Sequence, residues 1–354
     1  MKIKSLLLGS AAASMLAVSG AQAADPIIYA EPEPMEYVRI CDVYGAGYYY
    51  IPGTETCLRI GGWVRYQMTA GNATRNGENW NKTSEFNVTL DSRSETEWGT
   101  LRGLIIIESA GSELGRGTNT FNATATHAVI QLGGLFMGFG DSYFITSSQY
   151  LGAPVGNYGT HSAPNGSLGG YSFQRSQMIG YHYMSPEGFY AGVALEHNPT
   201  AGTTPGYMPN VVGRLAYAQA WGGIYGIGAY DSAAQGWGGR LGVELNVPNA
   251  PGSQLRVYGL YRSNNRVQYG PGTATGAGTN NQWGIVASYN HNFGSGFSAG
   301  LAFQHNRTFA DVGNNQGQIF ASYTPVSQFH IRGDVTRDFD NDTWTGRLRF
   351  QRDF

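Results

Sequence analysis

Long hydrophobic runs are missing from this 354-residue chain. Apart from a brief apolar stretch over residues 6–18, no segment approaches the roughly 20 consecutive apolar residues that a membrane-spanning helix needs. Charge is scarce too: Asp, Glu, Lys and Arg together make 13% of the chain, about half the usual share. Lys82 is the only lysine beyond Lys2 and Lys4, and every other cation is an arginine. Without Lys2 and Lys4, 20 basic residues face 24 acidic ones, so no basic excess points to nucleic acid. Cysteine is nearly absent, Cys41 and Cys57 being the only two. No C-x-x-C or H-x-x-x-H spacing occurs among them or the scattered histidines, and no metal or cofactor is expected. These gaps exclude a helical membrane protein and argue against a metalloenzyme.

What is abundant is glycine, 52 residues, about twice the ordinary share, together with 13% aromatics. Disorder would bring few aromatics and high net charge, and neither holds. The first residues read as an export signal: Lys2 and Lys4, then the short apolar stretch, then Ala21-Gln22-Ala23 as a small-x-small cleavage site. Residues 1–23 are set aside as a signal peptide. Residues 24–57 form a distinct periplasmic leader that includes the stiff, charged Glu31-Pro32-Glu33-Pro34. In an oxidising compartment Cys41 and Cys57 are expected to form a disulfide, with a metal or redox pair as the rival reading. Closing that loop would stabilise the fold by about 3 kcal/mol in the chain-entropy account.

From Leu58 to the end, segments of about ten residues alternate in polarity, the period of a β-strand. Leu58, Ile60, Gly62, Val64, Tyr66 and Met68 share one face; Arg59, Gly61, Trp63, Arg65 and Gln67 share the other. Short connections (93–96, 133–134, 185–188, 220–223, 292–296, 325–327) alternate with long ones (69–84, 109–123, 143–176, 197–209, 263–280). A soluble sandwich has no reason to keep such an alternation, whereas a transmembrane β-barrel has short turns at one mouth and long loops at the other. Starts near 58, 85, 97, 124, 135, 177, 189, 210, 224, 238, 254, 281, 297, 317, 328 and 342 give about sixteen strands. An antiparallel barrel of that size holds an aqueous channel. Phe329, Ile331 and Val335 oppose His330, Arg332, Asp334 and Thr336; Leu255, Val257 and Tyr261 oppose Arg256 and Arg262. Tyr66, Trp98, Tyr183, Phe189, Tyr217, Tyr230, Trp283, Tyr289, Phe297, Phe303 and Tyr323 sit where interfacial girdles are expected.

Two stretches carry a family resemblance. Trp344, Gly346, Leu348, Phe350, Arg352 and Phe354 alternate up to a terminal Phe, which resembles the closing strand of outer-membrane barrels; Arg352 departs from the usual apolar residue. The front, Glu36-Tyr37-Val38-Arg39-Ile40-Cys41 through Tyr44-Gly45-Ala46-Gly47-Tyr48 to Ile51-Pro52-Gly53-Thr54-Glu55-Thr56-Cys57-Leu58-Arg59-Ile60-Gly61-Gly62, resembles the alphaproteobacterial general porins, the rhizobial and Brucella type. Ser185-Pro186-Glu187-Gly188-Phe189 is similar to them too. The resemblance implies a sixteen-stranded homotrimer in the outer membrane, amid lipid and lipopolysaccharide. It also implies a third loop folded into the lumen, here 143–176, passive diffusion of small hydrophilic solutes, and a Phe354 that the barrel-assembly machinery reads.

Arg59, Arg65, Arg102, Arg256, Arg332, Arg347 and Arg349 fall on lumen positions and are the candidate selectivity residues, since rings of fixed charge set ion preference. The loop 143–176 carries Arg175 and His161 but no Asp or Glu, and Asp141 is the nearest acid. Glu108, Glu196, Glu244 and Asp334 are wall acids that would compensate. Weak cation selectivity or a mild anion preference is expected. A sugar-specific channel remains a rival because Tyr143, Tyr150, Tyr158 and Tyr171 lie in that loop, and an adhesin would use loops such as 270–280. Gly296-Phe297-Ser298-Ala299-Gly300 matches G-x-S-x-G, but that motif works at a strand-to-helix elbow and its flanks here alternate as a strand, so no enzyme is expected.

Overall fold

The computed structural model describes residues 38–72, 80–109, 112–113, 123–146, 150–156, 161, 175–197, 208–272 and 280–354. The signal peptide, the leader as far as residue 37, and most of the 143–176 connection, Tyr158 and Tyr171 included, lie outside the described residues. Residues 40–354 form one compact unit.

Its wall is a single antiparallel sheet. In chain order the long strands are β2 (Cys57–Gly71), β3 (Trp80–Thr96), β4 (Gly99–Ser109), β6 (Ala123–Leu132), β7 (Leu135–Asp141), β8 (Arg175–Met184), β9 (Phe189–Glu196) and β10 (Asn210–Gln219). They continue as β11 (Gly222–Asp231), β12 (Gly236–Asn246), β13 (Gln254–Arg262), β14 (Asn281–Gly294), β15 (Phe297–Thr308), β16 (Gly313–Val326), β17 (Phe329–Asp338) and β18 (Thr343–Asp353). Two dipeptide strands, β1 (Tyr49–Tyr50) and β5 (Ser112–Glu113), pair onto β2 and β3. Each long strand pairs with its sequence neighbours, and β18 pairs with β2, Phe350 opposite Tyr66 and Leu348 opposite Met68. At the seam Gly62 and Phe354 exchange two backbone hydrogen bonds of 3.0 Å. The sheet is thereby a closed barrel of sixteen long strands, the only kind of sheet that leaves no edge unpaired in lipid.

The sixteen expected strand starts fall within five residues of those found. The connections differ more. The first short turn lies at Glu97-Trp98 rather than 93–96, because Ser94, Glu95 and Thr96 go on pairing and Gly99, at φ +101°, supplies the reversal. The short–long alternation holds through the first half and then lapses: residues 232–235, 309–312 and 339–342 are tight turns at the mouth that carries the long connections. Local polar bonding shortens them. In the last, Asp338 accepts from the backbone N–H groups of Asp340 (3.1 Å) and Asn341 (2.9 Å), and Asp342 takes positive φ.

Outward positions are apolar and exposed, Leu215, Leu241, Ile285, Leu301, Ile319 and Val335 among them. Ten of the eleven girdle aromatics are exposed; Tyr289 is half-buried. The interior breaks the simple expectation of a polar lumen. On β7–β14 the inward residues Phe136, Tyr190, Val212, Tyr225, Tyr258, Leu260 and Val286 are buried in one apolar cluster with Tyr143, Phe144, Ile145, Leu151 and Val155 from the connection after β7. Half of the barrel is filled like the core of a soluble protein. Gly192 makes room for it, since a Cβ there would collide with the Tyr143 hydroxyl.

The described part of the leader is a hook. Ile40 bridges to Tyr49, a 3-10 turn spans Asp42–Tyr44, and Cys41 is disulfide-bonded to Cys57 at the start of β2. Tyr48 is buried with the Arg59 and Arg93 guanidiniums 5.1 and 5.3 Å from its ring centre. The native protein should therefore show no thiol reactive toward maleimide. The Cys41→Ser/Cys57→Ser protein should lose its heat-resistant form at a lower temperature, on the scale of about 3 kcal/mol for a loop this long. Two alkylatable thiols in the native barrel would remove the bridge.

Candidate functional site: an arginine wall beside a filled half

The described parts of the connection after β7 cross the lumen. A four-residue helix, α1 (Tyr143–Thr146), packs on β10 and β11. Farther along, the Tyr150 carbonyl accepts from Arg102 Nη1 on β4 (2.7 Å). The Val155 carbonyl then accepts from Arg214 on β10, and the Gly156 carbonyl from Arg240 Nη2 on β12 (2.7 Å). Gly156 N donates to Glu244 Oε1 (2.8 Å). His161 reaches β13 and β14, bonding Gln254 Oε1 (3.1 Å) and Ser288 Oγ (2.8 Å). Arg214 lies 5.9 Å from the ring centres of Tyr190 and Tyr225, and Arg240 lies 5.1 Å from Tyr225 and 5.6 Å from Tyr258, within cation–π range. Buried cations on aromatic faces thus hold the crossing backbone, using donors that would be costly to bury unpaired.

Among the described residues a cavity of about 760 Å³ remains on the other side, lined from β2–β4, β7, β8, β17, β18 and the hook. Arg59, Arg65, Arg332 and Arg349 line it from one wall; Glu108, Asp141, Arg175 and Tyr150 line it from the other. Arg175 bridges both acids, Glu108 at 2.8 Å and Asp141 at 3.1 Å, so the acidic side carries its own cation. Arg65 pairs with Glu85, and Arg347 Nη2 pairs with Asp334 at 2.7 Å. Arg349 donates to Gln67 Oε1 (2.9 and 2.7 Å), and Arg59 rests on Tyr48. Among the described residues no carboxylate bridges Arg59, Arg332 or Arg349.

The arginines singled out from the strand pattern therefore divide. Arg59, Arg65, Arg332 and Arg349 come together at the cavity, with Arg347 behind them on Asp334. Arg102 is tied to Asp91 (2.8 Å) and to the crossing loop, and Arg256 is buried against Glu244 (3.4 Å); neither lines the cavity. Of the compensating acids only Glu108 lines it. Of the loop tyrosines, Tyr143 is buried with its hydroxyl on Tyr190 (2.8 Å) and so is unavailable as a sugar slide, while Tyr150 borders the cavity. Ser298 stands on β15 just past a tight turn, with no helix after it. Strand reasoning passed over Arg214, Arg240 and their tyrosines. Their signal was strand parity, which turns Tyr190, Tyr225 and Tyr258 inward, where a simple channel would have polar side chains.

The alphaproteobacterial pattern at the front of the chain can be tested against known proteins. A family model described as the porin subfamily matches residues 25–348. The chain belongs to the porin subfamily. Porin Omp2b of Brucella suis is 37% identical over 390 aligned residues, with all of both chains covered, and Porin Omp2b of Brucella neotomae is 36% identical over 387. Among solved structures, the outer-membrane channel DcaP of Acinetobacter baumannii superposes with a TM-score of 0.66 at 15% identity, covering 86% of this chain and 99% of its own. The anion-selective porin of Comamonas acidovorans gives 0.58 at 15%, covering 85% and 100%. The resemblance read from the sequence is borne out. This porin is an outer-membrane channel of a Gram-negative bacterium through which small solutes diffuse, and family and relatives alike indicate a channel rather than an enzyme.

Burial, with Arg256 close by, pushes the His161 imidazole down from 6.5 to about 4. The unfolded chain takes up the proton below 6.5 and the docked loop only near 4, so docking is at full strength above 6.5 and weakens as pH falls through that window. Single-channel noise should rise between pH 6.5 and 4 and stay level above it. In His161→Gln, which retains hydrogen-bonding groups but cannot titrate there, the rise should be blunted; an unchanged acid response would assign it to another group.

Proposed function

We propose that this porin is a homotrimeric general diffusion channel with a mild preference for anions, narrowed by the 143–176 connection. One observation carries the selectivity: among the described residues three guanidiniums without a carboxylate bridge, on Arg59, Arg332 and Arg349, meet at the cavity, while Arg175 offsets Glu108 and Asp141 opposite and Asp353 is paired with His330. Fixed charge at a narrow place enriches the counter-ion. Arg65 and Arg347 add paired charge to that wall, and Arg102 and Arg256 serve the loop and the filled half. No catalytic step enters this reading, since Ser298 lies within β15 and the next described element is a strand, not the helix of an elbow. Trimeric assembly rests on the family, as does recognition of Phe354 by the assembly machinery and contact of the barrel with lipopolysaccharide. The hook continues from a leader that remains in the periplasm once the signal peptide is removed.

Planar-bilayer recordings under a potassium chloride gradient test both halves of this reading. Conductance should appear in triplet steps, and the reversal potential should have the sign of chloride preference. Replacing Arg59, Arg332 and Arg349 together with Gln should move it toward potassium. An unmoved potential would take these residues out of the selectivity wall, and single steps would count against the trimer.

A further inference from the structure

Glu196, at the end of β9, is 2% exposed. Its carboxylate accepts from Tyr143 N (2.6 Å) and from Ser142 Oγ (2.9 Å to each oxygen), where the connection after β7 begins. The same carboxylate accepts from the hydroxyl of Tyr269 (2.9 Å), which belongs to a different connection, the one after β13. That second connection, read from the sequence as an outer loop, bends inward over its described part. Val267 is 1% and Tyr269 6% exposed, and the Tyr269 ring lies 5.5 Å from that of Phe144 in α1. Arg262 Nη1 holds the Val267 carbonyl at 3.2 Å, and Gln268 N donates to Asp231 Oδ2 at 3.1 Å. Asn210 Nδ2 donates to the Tyr269 hydroxyl (3.1 Å), orienting its proton toward Glu196.

We infer that Glu196 is a positioning residue that locks both connections into the lumen and so sets the width of the open half. A buried carboxyl group stripped of one of its hydrogen-bond partners is penalised. Each connection therefore holds the carboxylate in place for the other, and the two bonds form one coupled network. The path to the pore is short. Ser142 follows Asp141, which lines the cavity and bridges Arg175, and Tyr150 of the same connection lines it too. A slackened Ser142 lets that border move.

The test is single-channel recording and polymer exclusion with full-length Tyr269→Phe, Glu196→Gln and the double variant. Tyr269→Phe removes only the second connection's bond, so it reports even where Glu196→Gln fails to assemble. Expected are higher conductance, more open-channel noise and entry of larger neutral polymers in each single variant. The double variant should match Glu196→Gln, because one lock can be broken only once. The reversal potential should stay at its unmodified value, since the arginine wall is intact, and this separates the lock from the selectivity reading. Unmodified conductance, noise and exclusion in Tyr269→Phe would overturn the inference. Additive effects in the double variant would overturn it as well, by making the two connections independent.

Discussion

A peptide group facing lipid without a partner costs several kcal/mol, and no water is there to relieve it. The architecture of this porin depends on that constraint. Sixteen strands must return to their start, and the pair of backbone bonds between Gly62 and Phe354 closes the seam. Once the wall is closed its circumference is set, and at this strand number the interior is too wide for wall side chains alone to fill. Something else must occupy part of it. The connection after β7 does so, carrying its own apolar residues inward to meet Tyr190, Tyr225 and Tyr258. The pore is the remainder.

That arrangement explains why buried charge sits where it does. A loop crossing a lumen brings backbone carbonyls and N–H groups that must be satisfied inside. Arg102, Arg214 and Arg240 supply donors to Tyr150, Val155 and Gly156, and Glu244 supplies an acceptor. The same residue type therefore does two jobs in one barrel. Arg214 on β10 and Arg240 on β12 bind the protein's own backbone and face aromatic rings, while Arg59, Arg65, Arg332 and Arg349 line the cavity.

Strand number, strand starts and the lipid-facing sides were legible because each rests on a local period of two that any lipid-facing strand must keep. The turns were less so: residues 232–235, 309–312 and 339–342 are closed by side-chain bonds such as those of Asp338, a matter of conformation rather than polarity. The candidate site was half legible. Parity put Arg59, Arg332 and Arg349 on the face that lines the cavity, but it could not tell such a cation from one consumed by a crossing loop, as Arg102 is. Glu196 looked like one more wall acid. Its role depends on Tyr269, 73 residues away, turning inward, and nothing local announces that.

The division of the lumen has a consequence for how such channels change over generations. The tyrosine-packed side carries the burden of folding, and a substitution there disturbs the loop and everything that borders it. The arginine side is held by single partners instead, Arg349 by Gln67 and Arg59 by the ring of Tyr48, so exchanging one of its charges disturbs fewer neighbours. On the proposed reading, permeability and foldability are then written in largely separate sets of residues, and a lineage could retune what enters the periplasm by altering a few guanidiniums.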